Sequence, residues 1–280
     1  MLPTTINPRT LYLVGTPLGN LSDLSPRAID ILRGVDFIAA EDTRVTIKLL
    51  NHFSIKKPQI SYFSHNRREK GEQIIQRLQA GEAAALVTDA GMPGISDPGE
   101  ELVALCRENH LPVVAIPGAT ACTTALALSG LPSGRFCFEG FLSTTRKNRL
   151  AHLESLKTEE RTMIFYEAPH KLMSTLTDML KTWGDRDITI CREMTKRFEE
   201  TLYTTLSDAV AHFTQTSPRG EFVLVIRGAD SVEESPRVSL EEAEQRLKDL
   251  VEKGMSRKDA ARQVAASTGL GKNEVYGLGL

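Results

Sequence analysis

The chain has 280 residues, of which 41% are hydrophobic and 25% charged, a composition that excludes disordered and fibrous proteins. Its 34 basic and 36 acidic residues leave a net charge of −2, which as a whole-chain figure argues against nucleic-acid binding. No apolar run approaches the roughly 18 residues of a membrane-spanning helix, and no secretion-signal pattern opens the sequence. We therefore expect a cytoplasmic protein of about two domains.

Short apolar runs alternate with helical patterns over residues 10–130, the first predicted domain. Strands are predicted at 11–15, 37–40, 60–63, 84–88 and 113–116, and helices at 44–53, 69–79 and 120–128. Two further helices are predicted to begin at capping residues followed by proline, Ser25 before Pro26 and Asp97 before Pro98. Strands that alternate with crossover helices predict a mostly parallel sheet covered on both faces.

Residues 131–229 form the second predicted α/β domain, in which some strand pairing is antiparallel. Its strands are predicted at 136–141, 162–166, 188–192, 200–205 and 221–227, and its helices at 146–157, 169–183 and 207–214. Residues 229–237 are polar and indicate a linker. A small helical extension over 238–280 follows, with helices at 239–253 and 256–267 and a short one after Gly271.

Three loops rich in glycine and proline follow predicted parallel strands, at 15–20, 89–99 and 117–121. Open α/β sheets bind ligands at that edge, although a single such loop is as well explained as a tight turn. The spacing of glycines in 15–20 matches neither the dinucleotide fingerprint nor the P-loop, and no G-x-S-x-G elbow is present. A sulfonium cofactor such as S-adenosylmethionine fits better, because backbone carbonyls and Asp89 or Asp97 can stabilise its positive charge.

Charge is unevenly distributed: residues 43–71 carry seven basic side chains and one acid, so the rest of the chain carries −8. Such a block attracts polyanions, although a solvated helix face is the alternative. RNA contacts are predicted at Asn66, Arg67 and Arg68 in this block, and at Lys147 and Arg149 in a second basic stretch. A splayed base would stack on one of three aromatic residues in the block, Phe53, Tyr62 or Phe63, of which the first two are also candidates for the core.

The four cysteines, Cys106, Cys122, Cys137 and Cys191, contain no Cys-x-x-Cys pair, and the six histidines never fall at His-x-x-x-His spacing. We expect reduced thiols and no metal site.

Six segments in order closely resemble the small-subunit ribosomal RNA methyltransferase I family, which has the tetrapyrrole-methylase fold. They are GTPLGNLSDLS at 15–25, AAEDTR at 39–44, DAGMPGISDPG at 89–99, FYEAPH at 165–170, REMTK at 192–196 and GEFVLV at 220–225. The resemblance runs from about residue 10 to the end. It implies an α/β, two-domain fold and S-adenosylmethionine-dependent 2′-O-methylation of a cytidine in 16S rRNA near the decoding centre, by a homodimer.

Carried over by position, the resemblance implies a cofactor site between the two domains. Its contacts would fall on Leu18, Asp89, Met92, Thr120, Ala121, Tyr166, Met194 and Phe222.

A ribose hydroxyl is a weak acid, so a nearby group must take its proton as the methyl bond forms. Glu41 and Asp42 at the crevice edge are the first candidates, with Arg44 holding a phosphate or one carboxylate. Alternatively, Asp42 only caps the following helix. Glu193 and Lys196 are the second candidates, and a salt bridge between them is the alternative.

Two other functions remain open at this point. One is S-adenosylmethionine-dependent methylation of a carbon in a tetrapyrrole precursor, against which the basic block and the extra tail argue. The other is a non-catalytic RNA-binding assembly factor. The helical extension resembles a helix-turn-helix with Lys253, Arg257, Lys258 and Arg262, and is a candidate contact with rRNA or the 30S subunit.

Overall fold

The structure is a computed structural model that describes residues 5–230, 240–268 and 270–278. Residues up to Gly228 form one unit and those from Ala229 onward form another, and each is described by itself. In the described part of the chain, no helix is long and apolar enough to cross a membrane.

The first sheet has five strands in the order β3-β2-β4-β1-β5, and all of its pairings are parallel. The strands are β1 (Leu11–Val14), β2 (Phe37–Ala40), β3 (Gln59–Ser61), β4 (Ala84–Val87) and β5 (Val113–Ile116). The helices are α1 (Pro26–Gly34), α2 (Thr43–His52), α3 (Arg67–Gln79), α4 (Glu100–Glu108) and α5 (Ala121–Ser129). β2 and β4 are buried along their whole length because apolar clusters cover both faces of the sheet, as predicted.

The second sheet also has five strands, in the order β6-β7-β10-β8-β9, and only the pairing of β6 with β7 is parallel. The strands are β6 (Phe136–Phe141), β7 (Thr162–Glu167), β8 (Asp187–Arg192), β9 (Glu200–Thr205) and β10 (Phe222–Ile226). One apolar cluster packs the sheet against α6 (Arg146–Ser155), α7 (Pro169–Trp183) and α8 (Leu206–Gln215), and another packs it against α5. The mixed sheet is therefore confirmed, whereas the division into domains at residues 130 and 131 stays a prediction.

The two predicted helix caps have different outcomes. Ser25 caps α1, and its hydroxyl accepts a hydrogen bond from the Ala28 N–H at 3.1 Å. The predicted cap at Asp97 is wrong, since α4 begins only at Glu100 with Gly99 before it. Gly99 lies so close to Gly94 that a Cβ would be 2.9 Å from the Gly94 nitrogen, which requires glycine there. Because of this turn the helix begins beyond Asp97, and the Asp97 side chain does not cap it.

The C-terminal unit contains α9 (Leu240–Glu252), α10 (Arg257–Thr268) and α11 (Lys272–Gly277). Small and branched apolar side chains form its own core, including Ala243, Leu247, Ala260, Val264 and Val275. The predicted linker spans residues 229–237, of which only 229 and 230 belong to the described residues. The three helices of the extension are confirmed.

Candidate active site

A cavity of about 470 Å³ opens at the edge where the strands of the first sheet end. The loops after β1, β2, β4 and β5 line it on one side, and residues of β7, β10 and the segment after β8 line it on the other. The predicted convergence of the glycine-rich loops is therefore observed. All eight residues predicted to contact a cofactor lie in this lining: Leu18, Asp89, Met92, Thr120, Ala121, Tyr166, Met194 and Phe222.

Close backbone contacts hold the loops of the first sheet together. A Cβ on Gly118, after β5, would lie 2.8 Å from the Gly15 Cα and 2.9 Å from its carbonyl oxygen. The loops after β1 and β4 exchange two backbone hydrogen bonds between Thr16 and Gly91, at 2.9 and 3.1 Å. The small residues in these loops therefore let their backbones pack directly against one another, and this packing forms the floor of the cavity.

Three of the carboxyl groups that line the cavity lie on the side of the first sheet: Glu41, Asp89 and Asp97. The Thr88 hydroxyl donates to Glu41 Oε2 at 2.5 Å, and the Asp89 N–H donates to the same oxygen at 3.3 Å. Burial and the neighbouring charge of Glu41 raise the pKa of Asp97 to about 6. Burial, followed by the charges of Glu41 and Asp42, also raises the pKa of Asp89. The cluster favours a positively charged ligand.

Lys196 is the basic side chain in the described lining of this cavity, and it is already paired. Its ammonium donates to Glu193 Oε1 at 3.0 Å and to Glu221 Oε2 at 2.9 Å. Although burial works against the charge, these two carboxylates raise the pKa of Lys196, so the amine stays protonated at neutral pH. The salt bridge considered as an alternative for Glu193 and Lys196 is present, and Lys196 is a hydrogen-bond donor here rather than a proton acceptor.

Asp42 and Arg44 lie beside the cavity rather than in its lining. Asp42 caps α2 by accepting a hydrogen bond from the Arg44 N–H at 2.8 Å. This helix cap is the alternative role predicted for Asp42. The guanidinium of Arg44 also pairs with this carboxylate at 2.6 Å, and the hydrogen bonds lower the pKa of Asp42 to about 2. Asp42 is therefore a weak base, which leaves Glu41 as the member of the predicted pair that faces the cavity.

Tyr166 closes the cavity on the side of the second sheet. Its hydroxyl accepts a hydrogen bond from the Cys122 N–H at 3.1 Å, and its ring packs edge-on against Phe138 and Phe141. Burial raises the pKa of Tyr166, so it stays neutral. Together with Leu18, Met194 and Phe222, this ring gives the cavity an apolar wall opposite the carboxyl groups.

Sequence reasoning missed the contributions of Thr88, Glu167 and Glu221 to the lining. Glu167 is fully buried, and its carboxylate accepts from the Thr175 hydroxyl at 2.6 Å and pairs with Lys171 at 3.1 Å, which fixes the start of α7. The position of Thr88 directly after β4 was a signal that could have identified it.

The residues predicted to contact RNA divide into three groups. Arg68 and Lys147 are exposed and available. Asn66 and Arg67 have structural partners, since the Asn66 amide bonds to backbone atoms of Phe63 and Ser61 and Arg67 pairs with Glu101 at 2.8 Å. The prediction for Arg149 is wrong, because its side chain is buried.

The guanidinium of Arg149 is only 6% exposed and pairs with the buried Asp178 at 2.8 Å. It also donates to the carbonyl oxygens of Ser143 and Thr144. An arginine in this position holds α6 and the loop before it against α7. No group of three or more histidine, cysteine or acidic side chains that could hold a metal ion occurs among the described residues.

Comparison with known proteins identifies the family. The family model for tetrapyrrole (corrin/porphyrin) methylases matches residues 10–210, and a model described as the RsmI C-terminal HTH domain matches residues 238–280. A crystal structure of uroporphyrin-III C-methyl transferase from Thermus thermophilus, complexed with S-adenyl homocysteine, superposes with a TM-score of 0.55 at 18% identity. The match covers 77% of this chain and 96% of that structure. The chain belongs to the tetrapyrrole methylase family, and it is a methyltransferase.

Two relatives match this chain over nearly its whole length. A protein of Synechocystis sp. named ribosomal RNA small subunit methyltransferase I is 52% identical over 271 residues, which cover 96% of this chain and 97% of that protein. A protein of Halalkalibacterium halodurans with the same name is 46% identical and covers 96% of this chain and 94% of its own length.

Proposed function

We propose that the protein transfers a methyl group from S-adenosylmethionine to the 2′-hydroxyl of a cytidine in 16S rRNA near the decoding centre. The observation that carries this proposal is the similarity, over nearly the whole chain, to proteins named ribosomal RNA small subunit methyltransferase I. The presence of both the methylase region and the C-terminal helical region in this chain supports it.

The cavity fits the proposed cofactor by its chemistry. S-adenosylmethionine supplies an electrophilic methyl group on a positively charged sulfonium. Glu41, Asp89 and Asp97 provide negative charge on one side, while Leu18 and Tyr166 provide apolar surface for the rest of the molecule. The close approach of Gly15 and Gly118 holds the loops after β1 and β5 together on this side of the cavity.

In the proposed reaction the ribose oxygen would form a C–O bond to the methyl carbon while the C–S bond of the sulfonium breaks, which would leave S-adenosylhomocysteine. The hydroxyl proton would pass to a carboxylate of the cavity. Asp97 suits this role best, because a base with a pKa of about 6 is ionised at neutral pH and still accepts a proton readily. Glu41 lines the same cavity, and the Thr88 hydroxyl orients its carboxylate. Lys196 donates a hydrogen bond from the opposite wall and orients the substrate.

RNA binding is proposed for the basic surface next to this cavity. Arg44 is 88% exposed and Arg68 is 96% exposed, and both belong to the block of positive charge at 43–71. Lys147 and the C-terminal helices are further proposed contacts with the 30S subunit. The proposal includes a cytoplasmic homodimer.

Labelled S-adenosylmethionine tests the proposal directly. The protein is incubated with isolated 30S subunits or with a tetrapyrrole precursor, and the expected result is label in ribose of 16S rRNA only. Label in the pigment alone would support the tetrapyrrole reaction instead. A protein that binds rRNA but shows no heat of binding with S-adenosylmethionine would be an assembly factor without catalysis.

Cofactor binding is expected to weaken several-fold as the pH falls from 7.5 to 5. Asp97 is ionised above a pH of about 6 and neutral below it, so acid removes one negative charge beside the sulfonium. Titration calorimetry of S-adenosylmethionine at several pH values measures this slope. Asp97→Asn should bind weakly at every pH and show a flatter profile, whereas an unchanged slope in this variant would contradict the assignment.

Asp97 should make a contribution of the opposite trend to the stability of the unliganded protein between pH 4 and 6. The pKa of Asp97 lies above its ordinary value of 3.8, so the folded state holds a proton that the unfolded state releases in this window. The contribution of Asp97 to the free energy of unfolding, which is the difference between the wild-type protein and Asp97→Asn, therefore falls as the pH rises from about 4 to about 6. Urea unfolding of the wild-type protein and Asp97→Asn at these two pH values checks the sign.

A further inference from the structure

The loop between β3 and α3 presents an aromatic side chain to solvent. Phe63 is 39% exposed, whereas the preceding Tyr62 is fully buried. Phe53, the third aromatic residue of the basic block, packs against the core of the first sheet. The structure therefore leaves Phe63 as the aromatic ring of this block that is open to a ligand.

The loop lies directly beside the cavity. Ala40 at the end of β2 pairs with Ser61 at the end of β3, and the Tyr62 N–H donates to the Ala40 carbonyl oxygen at 2.8 Å. Glu41, the next residue after β2, lines the cavity. Neighbouring strands are about 4.8 Å apart, so the chain leaving β3 forms the border of the cavity on that side.

Hydrogen bonds fix the loop in this conformation. The Phe63 N–H donates to Asn66 Oδ1 at 2.9 Å, and the Asn66 side-chain amide donates to the Ser61 carbonyl oxygen at 3.0 Å. The Asn66 N–H also donates to the Phe63 carbonyl oxygen at 3.0 Å. These hydrogen bonds fix the turn in a conformation that exposes Phe63. A fixed turn reduces the entropy lost when a ligand stacks on the ring.

The surroundings of the ring suit a nucleotide. His65 meets Phe63 nearly at a right angle, with ring centroids 6.1 Å apart, and supplies ring nitrogens that can bond to the edge of a base. Arg68, which is almost fully exposed, follows on the first turn of α3, and its pairing with Glu72 at 3.7 Å is exposed and weak. Aromatic surface beside an exposed cation is the combination that binds unpaired bases and their phosphates.

We propose that Phe63 and His65 form a stacking platform for an unpaired base of the RNA substrate, held by Asn66 at the border of the cavity. The proposal rests on the proposed rRNA methylation and adds to it the site that receives the base. Stacking on Phe63 places a splayed-out nucleotide with its ribose toward the carboxyl groups of the cavity. Asn66 acts as a positioning residue, since its side-chain amide bonds to the backbone of the loop itself.

Steady-state methylation of 30S subunits with labelled S-adenosylmethionine tests the platform. Phe63→Ala should raise the KM for the subunits about tenfold, within the range measured for loss of one base–aromatic stack. Phe63→Trp should restore it, because any aromatic face supports stacking. Asn66→Ala should give a smaller increase. The affinity for S-adenosylmethionine, measured by calorimetry, should stay unchanged in these variants, since Phe63 does not line the cavity.

Phe136→Ala is the matched control. Phe136 is 38% exposed, nearly the same as Phe63, but it lies at the start of β6, at the opposite end of that strand from the cavity-lining Phe141. The KM of Phe136→Ala for the subunits should equal that of the unchanged protein. A KM for Phe63→Ala equal to that of Phe136→Ala would overturn the platform while leaving the methylation intact. Absence of any label in RNA with the unchanged protein would instead overturn the proposed function, and the platform with it.

Discussion

Gly118→Ala is expected to weaken S-adenosylmethionine binding at least tenfold and to lower stability by about 1–3 kcal/mol, the usual cost of overpacking. The added Cβ would lie 2.8 Å from the Gly15 Cα and 2.9 Å from its carbonyl oxygen. Both are backbone atoms, so no side chain can rotate away, and the loops after β5 and β1 must separate. Calorimetric titration and thermal unfolding measure the two effects.

Gly134→Ala is the control for this substitution. A Cβ on Gly134 meets nothing within 4 Å, and this glycine precedes β6 without lining the cavity. Its cofactor affinity should match that of the unchanged protein. If Gly118→Ala also binds with unchanged affinity, the close approach of the two loops does not shape the cofactor site.

Arg149→Met should lower the free energy of unfolding by about 3–5 kcal/mol, because it leaves the buried Asp178 carboxylate without its main partner. The side chains of Arg149 and Asp178 are 6% and 4% exposed. Arg146 also reaches Asp178, at 3.3 Å, but it is 64% exposed and compensates poorly. Urea unfolding followed by the fluorescence of Trp183, the single tryptophan of the chain, reports on α7, the helix that carries Asp178.

Two companion variants separate this structural role from RNA binding. Lys147→Met, at an exposed position on the same helix, should change stability by less than about 0.5 kcal/mol. The double variant Arg149→Met with Asp178→Asn should recover much of the loss, because the unpaired charge is removed. An Arg149→Met protein of normal stability with weakened rRNA binding would restore Arg149 as an RNA contact.

The secondary structure was predictable because burial leaves a strong local pattern. Each predicted strand of residues 10–229 overlaps an observed one, since strands such as β2 and β4 are covered on both faces and consist of unbroken apolar runs. The edge of the sheet that carries the cavity was equally predictable, because the ends of parallel strands meet there. Pattern alone misplaced the start of α4, since the contact between Gly99 and Gly94 is tertiary.

The roles of individual charged residues were less predictable. Arg149 and Lys147 are two positions apart in one basic stretch, yet one is buried against Asp178, 29 residues later, and the other is exposed. The partner of Lys196 at Glu221 is likewise distant in sequence. Sequence identifies which residues carry charge, but the packing of α6 on α7 and of β10 beside β8 decides which charges face solvent.

The acidic lining of the cavity also bears on how the enzyme completes a cycle. In the proposed reaction, the bound sulfonium becomes a neutral thioether once its methyl group has left. The carboxyl groups of Glu41, Asp89 and Asp97 attract the sulfonium, whereas the thioether sulfur carries no charge for them to attract. The product therefore loses the attraction between its sulfur and these carboxyl groups at the moment of transfer. The same three groups that retain the methyl donor thus favour release of the product.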